Sequence, residues 1–230
     1  MAETSAYGLR ERKKLRTRTT LVEAAADLCL RQGFDNTTVD QIAAAADISP
    51  RTFSRYFPTK DAVVAAIADE LDTDIAGALE RQPTYITEYD ALLHAHLEVF
   101  GPELDYQTPV FKRMAVLIQI VNESSSFNAS AFRYQQGLSE NASTKVIGRR
   151  MGVAPDHPAV RMVTDTWTLL FATSFADLGQ PGNEPIESRI VCDRLRASFE
   201  LFRRTWSPWK EPEQEPERAS EADPNPPQAR

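Results

Sequence analysis

Arg51, Thr52, Ser54, Arg55 and Tyr56 lie within one short segment between Ser49 and Phe57. Two guanidinium groups, two hydroxyls and a phenol can make hydrogen bonds to base edges and phosphate oxygens, and arginine can bond a guanine edge bidentately. This is the chemistry of recognition rather than of bond making. A helical hairpin with an ordinary solvated basic face has the same composition, so spacing alone leaves both readings open. Groups suited to catalysis are scarce. His94 and His96 are two apart on one helical stretch, so they point in different directions and form a poor metal pair, and His157 falls in a turn. Cys29 and Cys192 sit within apolar patterns and read as small buried hydrophobes. No Gly-rich phosphate loop, Gly-x-Ser-x-Gly elbow or Cys-x-x-Cys is present. We therefore expect no catalytic residue, metal or cofactor, and no enzyme.

To present the arginine-bearing set outward, the segment must be a helix anchored from behind. Phe53 and Phe57 are four apart and supply that apolar ridge. Ser49 is a good cap, and Pro50 at the first helical position has no N–H to leave unpaired. A shorter helix precedes it. Thr38 and Gln41 have capping-box spacing, and Val39, Ile42, Ala43 and Ala46 form a narrow apolar face on which another helix can cross closely. Asp47 breaks the pattern where a tight turn needs a left-handed residue. Upstream, a helix over 15–32 carries Leu21, Ala24, Ala25, Leu28 and Cys29 on one stripe and ends at Gly33. Phe34 then enters a small core with Ile42, Ile48, Phe53 and Phe57. Downstream, Thr59 caps a long helix over 60–81. Two helices across a tight turn, the second polar and basic on its outer face, form a helix-turn-helix.

The stretch GFDNTTVDQIAAAADISPRTFSRYFPTKDAVV resembles the DNA-binding segment of the tetracycline-repressor (TetR) family of bacterial regulators. The matching features are an aromatic after glycine, Thr-Val, Ile-Ala, a turn, Ser, a Thr-aromatic pair, Tyr-Phe, and Lys followed by an acidic residue. Asp47 stands where the family usually has glycine. Arg51 and Ser54 replace the commoner glycine and tyrosine, which should change the bases read. The resemblance implies phosphate contacts from Thr38, Tyr56 and Lys60. The expected DNA-contacting set is Arg18, Thr38, Ser49, Pro50, Arg51, Thr52, Ser54, Arg55, Tyr56 and Lys60.

The net charge of −7 is unevenly distributed, with +3 over residues 1–60 and −10 over the rest. The basic excess includes Arg10, Arg12, Lys13, Lys14, Arg16 and Arg18, which read as an arm reaching phosphate or the minor groove. Counterion release would act at this end, and the acidic remainder would keep nucleic acid off other surfaces. No apolar run reaches the roughly 18 residues of a membrane span, so a cytoplasmic, nucleoid-associated protein is expected.

Sparse glycine and helical spacing throughout predict an all-α chain of about nine helices. Later helices are expected over 89–100, 109–122, 126–151, 158–178 and 187–206. The expected organisation is a disordered arm (1–9), a three-helix DNA-binding domain (10–64), a helical effector-binding and dimerisation domain (65–206), and a disordered acidic, Pro-rich tail (207–230). A pocket between helices is expected to draw on His94, Phe100, Phe111, Met114, Ile118, Phe127, Phe132, Trp167 and Phe171, with Tyr134, Leu117 and Asp165 as further candidates and a hydrophobic effector. The resemblance implies that the last two helices pair with those of a second copy. Val163, Leu170, Ser174, Val191, Leu195, Phe199 and Phe202 would form that homodimer interface, although the same ladder serves equally as a monomer core. The combined expectation is a dimeric repressor of a palindromic operator in double-stranded DNA, released by a small effector. The alternative is a helical ligand-binding or enzymatic protein with a vestigial helix-turn-helix.

Overall fold

A computed structural model of the chain describes residues 2–206 apart from Pro102, Leu104, Tyr106, residues 125–140 and Pro181, with side chains from Glu11 to Thr205. Among the described residues there are nine α-helices and no strand. They are α1 (Ala2–Gln32), α2 (Val39–Ala45), α3 (Pro50–Tyr56), α4 (Lys60–Glu80), α5 (Glu88–Phe100), α6 (Pro109–Glu123), α7 (Ala142–Met151), α8 (Pro158–Ser174) and α9 (Ser188–Trp206).

Two apolar cores divide the molecule. The first gathers Leu21, Val22, Ala25 and Cys29 of α1, Ile42 of α2, Phe53 of α3, and Val63 and Ile67 of α4, with Phe34 and Phe57 from the connections. The second starts at Leu71, four residues further along α4, and collects residues from α5 to α9. Helix α4 thus passes from one core to the other within about one turn. Helix α6 also belongs to both: Val116 and Ile120 are buried in the first core, Met114 and Ile118 in the second.

Three boundaries differ from expectation. Helix α1 begins at Ala2, so residues 2–9 are helical where an arm without structure was expected. The stretch lacks proline, and the good helix formers Ala2, Glu3, Ala6 and Leu9 surround its one glycine, Gly8. Helix α8 stops at Ser174 rather than running to Leu178. Asp177 (φ 65°) and Gly179 (φ 84°) adopt left-handed backbone there. The Asn122 side-chain amide of α6 donates to the carbonyls of Phe175 and Leu178 at 2.8 and 2.9 Å, which holds the turn. Helix α7 starts at Ala142 behind an extended Asn141, inside the expected 126–151 helix; residues 125–140 lie outside the described residues, as does the tail over 207–230.

Candidate nucleic-acid interface and cavity

The α2–α3 hairpin is built by local hydrogen bonds that the sequence announces. Thr38 Oγ1 accepts the Gln41 amide at 3.2 Å while Gln41 Oε1 accepts the Thr38 amide at 2.9 Å, a reciprocal capping box. Gln32 at the end of α1 donates to the same Gln41 oxygen at 3.0 Å, which ties α1 to the start of α2. Asp47 turns the chain with φ 53°, as expected of a short polar side chain at a left-handed position. Ser49 Oγ then accepts the Thr52 amide at 3.1 Å and caps α3, with Pro50 in its first turn.

Helix α3 is held from behind by Phe53, which is buried, and by Phe57 just beyond its end, with ring centroids 5.8 Å apart. Its other side carries Arg51, Ser54 and Arg55, all exposed, with Thr52 and Tyr56 half-buried. The Ser54 hydroxyl donates to the Pro50 carbonyl at 3.1 Å, so its lone pairs face outward as acceptors. The Arg55 guanidinium lies 5.5 Å from the centre of the Tyr56 ring. The set expected between Ser49 and Tyr56 is therefore brought together on one short, firmly capped helix.

Two cations expected to contact DNA have partners within the chain. The Lys60 ammonium donates to the carbonyls of Phe34 at 2.6 Å and Thr37 at 2.9 Å, and lies 3.9 Å from the centre of the Phe34 ring. It clamps the α1–α2 connection to the first turn of α4. That also explains a cation at a helix N-terminus, where the dipole disfavours it. Arg18 lies over the Phe57 ring at 5.3 Å and approaches Glu70 of α4 at 3.6 Å. It braces α1 against α3 and α4 because it sits one turn before the buried Leu21 and Val22. Lys13, Lys14 and Arg16 of α1 are exposed.

A cavity of about 600 Å³ lies among α4, α5, α6, α7 and α8. Of the expected wall residues, Met114, Ile118, Trp167 and Phe171 line it, as do Leu117 and Asp165. Three do not. His94 is exposed on the far side of α5. Phe100 is wholly buried beneath the wall, edge-on to His96 at 5.6 Å. Phe111 is half-buried against the second core and does not reach the cavity. Phe127, Phe132 and Tyr134 lie outside the described residues.

The histidine that does line the cavity is His96, which sequence reasoning passed over. Its Nδ1 faces the Leu92 carbonyl at 2.7 Å and its Nε2 faces the indole N–H of Trp167 at 3.3 Å. The pairing fixes the neutral ring with its proton on Nδ1, because Nε2 must accept from the indole. Burial pushes its pKa down to about 4, against the pull of the Leu92 carbonyl. The signal was present: Ala91, Leu92 and Ala95 place position 96 on the buried side of α5 and position 94 on the outer side. Asp72 of α4 was also missed. Its carboxylate lines the cavity and accepts the Ser143 amide at 3.3 Å and the Ser143 hydroxyl.

The ladder expected to join two copies is packed inside one. Val163, Leu170, Ser174, Val191, Leu195 and Phe199 are buried in the single chain, and Phe202 packs half-buried on the Tyr89 ring at 5.3 Å. Repeats of three and four mark the buried stripe of a helix whatever it is buried against, and here α8 and α9 face each other and α5. Among the described side chains, the large apolar ones exposed on these two helices are Met162 (63% exposed), Leu169 (69%), which also borders the cavity, and Leu201 (55%).

Comparison with known proteins gives a consistent result. The family model for bacterial regulatory proteins of the tetR family matches residues 21–67, which spans the end of α1 through the first turns of α4. The HTH-type transcriptional regulator TcmR of Streptomyces glaucescens is 33% identical over 152 residues, covering 65% of this chain and 66% of TcmR, just under two thirds of that relative's length. Among solved structures, Thermus thermophilus FadR, a TetR family transcriptional repressor in complex with lauroyl-CoA, is similar with a TM-score of 0.50 at 20% identity, over 80% of this chain and 92% of FadR. That likeness is one of fold. A tetR-family transcriptional regulator from Streptomyces coelicolor is similar with a TM-score of 0.48 at 20% identity, over 81% of this chain and 80% of that one.

Proposed function

Because the chain belongs to the TetR family of bacterial regulatory proteins, we propose that it is a sequence-specific DNA-binding transcriptional regulator. The observation that carries this reading is the outer face of α3. Arg51, Ser54 and Arg55 stand in solvent on a helix whose other side is fixed by two buried phenylalanines and whose start is fixed by Ser49 and Pro50. Such a helix can enter a major groove as a rigid body, its arginines toward guanine edges and its hydroxyls toward bases or phosphate. Thr38, the N-cap of α2, would meet the flanking phosphates. The chain works in the cytoplasm beside the chromosome and catalyses no reaction.

The reading extends to a homodimer on a palindromic operator, because two equal heads related by a two-fold axis demand half-sites about one helical turn, or ~34 Å, apart. The cavity is then the effector site. A ligand that fits it better when the heads are wrongly spaced lowers DNA affinity, and so derepresses. Helix α4 is the natural lever, since it lines the cavity at Leu71 and Ile75 and carries part of the DNA-binding core at Val63 and Ile67.

The test is to recover bound fragments from genomic DNA with the wild-type chain and measure them by gel shift. Arg51→Ala and Arg55→Ala should each weaken specific binding by roughly ten- to hundredfold while leaving the melting temperature and oligomeric state unchanged. Undiminished, sequence-specific retention by the double variant would sink the proposal and favour a ligand-binding helical protein with a vestigial motif.

A further inference from the structure

The cavity wall is unequal in charge. Asp72 and Asp165 contribute carboxylates, and among the described residues no lysine or arginine lines it. The nearby arginines are occupied elsewhere. Arg113 bonds Asp74 at 2.6 Å and Glu70 at 3.5 Å, and Arg150 donates to the carbonyls of Gln82 and Pro83 at 2.9 Å. The contrast along α4 is informative. Glu70 and Asp74 have a guanidinium between them, whereas the Asp72 carboxylate is met by the neutral donors at the start of α7, chiefly the Ser143 amide and hydroxyl.

Asp72 is accordingly a half-buried carboxylate with no counter-ion among the described residues. Burial is the largest influence on it and raises its pKa; the Ser143 and Ala142 hydrogen bonds oppose this, and the Asp69 charge adds to it. The one base among the described wall residues does not compensate. His96 is neutral, with both ring nitrogens engaged. Around these groups the surface is apolar and aromatic. Phe171 packs edge-on to Phe175 with centroids 4.5 Å apart and lies 5.5 Å from the His96 ring. A carboxylate or phosphate ligand would bring like charge to Asp72 between largely apolar walls. A cation would supply the missing counter-charge, and aromatic faces attract cations as well.

We propose that the cavity takes a hydrophobic organic cation, with Asp72 as its counter-ion and Trp167, Phe171 and Phe175 as its aromatic wall. This deepens the effector reading and rests on it. The chemical class is an amine, a quaternary ammonium or an equivalent onium ion with a large apolar body, not a fatty acyl anion or a phosphate ester.

The experiment uses the full chain without DNA and two probes of near-identical size and shape but opposite charge, tetraphenylphosphonium and tetraphenylborate, titrated by calorimetry. The phosphonium should bind at least about tenfold more tightly than the borate, a difference of about 1.4 kcal/mol. Asp72→Asn, which keeps one acceptor for Ser143, should remove most of that preference, and Ser143→Ala, which keeps the charge, should preserve it. Equal or tighter binding of the borate, binding of neither ion, or an unchanged preference in Asp72→Asn would overturn the inference. The wild-type comparison stands even if a variant fails to fold. Gel shifts with recovered DNA then separate the two readings. Asp72-dependent phosphonium binding that leaves the DNA complex intact would support the ligand class and defeat the effector role.

Discussion

His96 shows how a single side chain can be misassigned by two positions and still explain its neighbourhood. Its ring accepts the Trp167 indole N–H, donates to the Leu92 carbonyl and cannot ionise without losing one of these partners. The folded pKa of about 4 lies below the ordinary histidine value of 6.5. A depressed folded pKa in a base contributes stability that is present above pH 6.5 and is lost as the pH falls toward 4, because the unfolded chain takes up the proton first. The expected loss approaches roughly 3 kcal/mol as the pH nears the folded value. Glu70 and Asp72, whose pKa values burial raises, act in the opposite sense as the pH falls. The measurement is therefore a comparison: urea midpoints between neutral and mildly acidic pH should fall more steeply for the wild type than for His96→Gln. Equal slopes would show that His96 does not carry the effect. The position was legible in the sequence as part of an apolar stripe. Its partner was not, because Trp167 is far along the chain and only the packing of α8 on α5 brings the two together.

The short helices were the most legible part of the chain. Capping at Thr38, Ser49 and Thr59, the left-handed Asp47 and the stop at Gly33 are decided by groups within four residues, so their chemistry can be read directly from spacing. Lys60 and Arg18 were not legible because their partners are distant carbonyls, rings and acids. The family resemblance assigns Lys60 to phosphate, whereas the structure gives it to Phe34 and Thr37. Each role has its own signature. Lys60→Met should lower stability by about 1–2 kcal/mol, since the Thr37 carbonyl loses the ammonium and the Phe34 carbonyl keeps only the Thr37 amide. It should also leave the salt dependence of DNA binding unchanged, whereas loss of a phosphate contact would reduce the log–log slope by about 1. A shallower slope with an unchanged melting temperature would return Lys60 to the DNA. The ends of α8 followed the same rule: its start at Pro158 was plain, but its stop depends on Asn122 of another helix.

Assembly depends on what one copy leaves uncovered. With most of the expected ladder buried in the single chain, a two-fold contact through the last two helices has Met162, Leu169 and Leu201 as its exposed apolar side chains. Leu169→Glu with Leu201→Glu should convert a dimer to a monomer by light scattering, with little loss of fold, since both side chains stand in solvent in the single chain. The ladder itself is a poor place to probe assembly, for a physical cause. Leu195 and Phe199 are buried, so changing them would damage the fold before it reported on any partner. A dimer that persists in the double glutamate variant would place the interface on another surface.

Helix α6 limits how this protein can be taken apart. It donates Val116 and Ile120 to the core beneath the DNA-reading helices, and its Lys112 ammonium meets Asp27 of α1 at 2.9 Å. A fragment cut after α4 would keep every residue of the α2–α3 hairpin and lose the lid over its interior. The head is therefore not a portable cassette: transplanted onto a foreign dimeriser, it would need substitute cover for two missing aliphatic side chains.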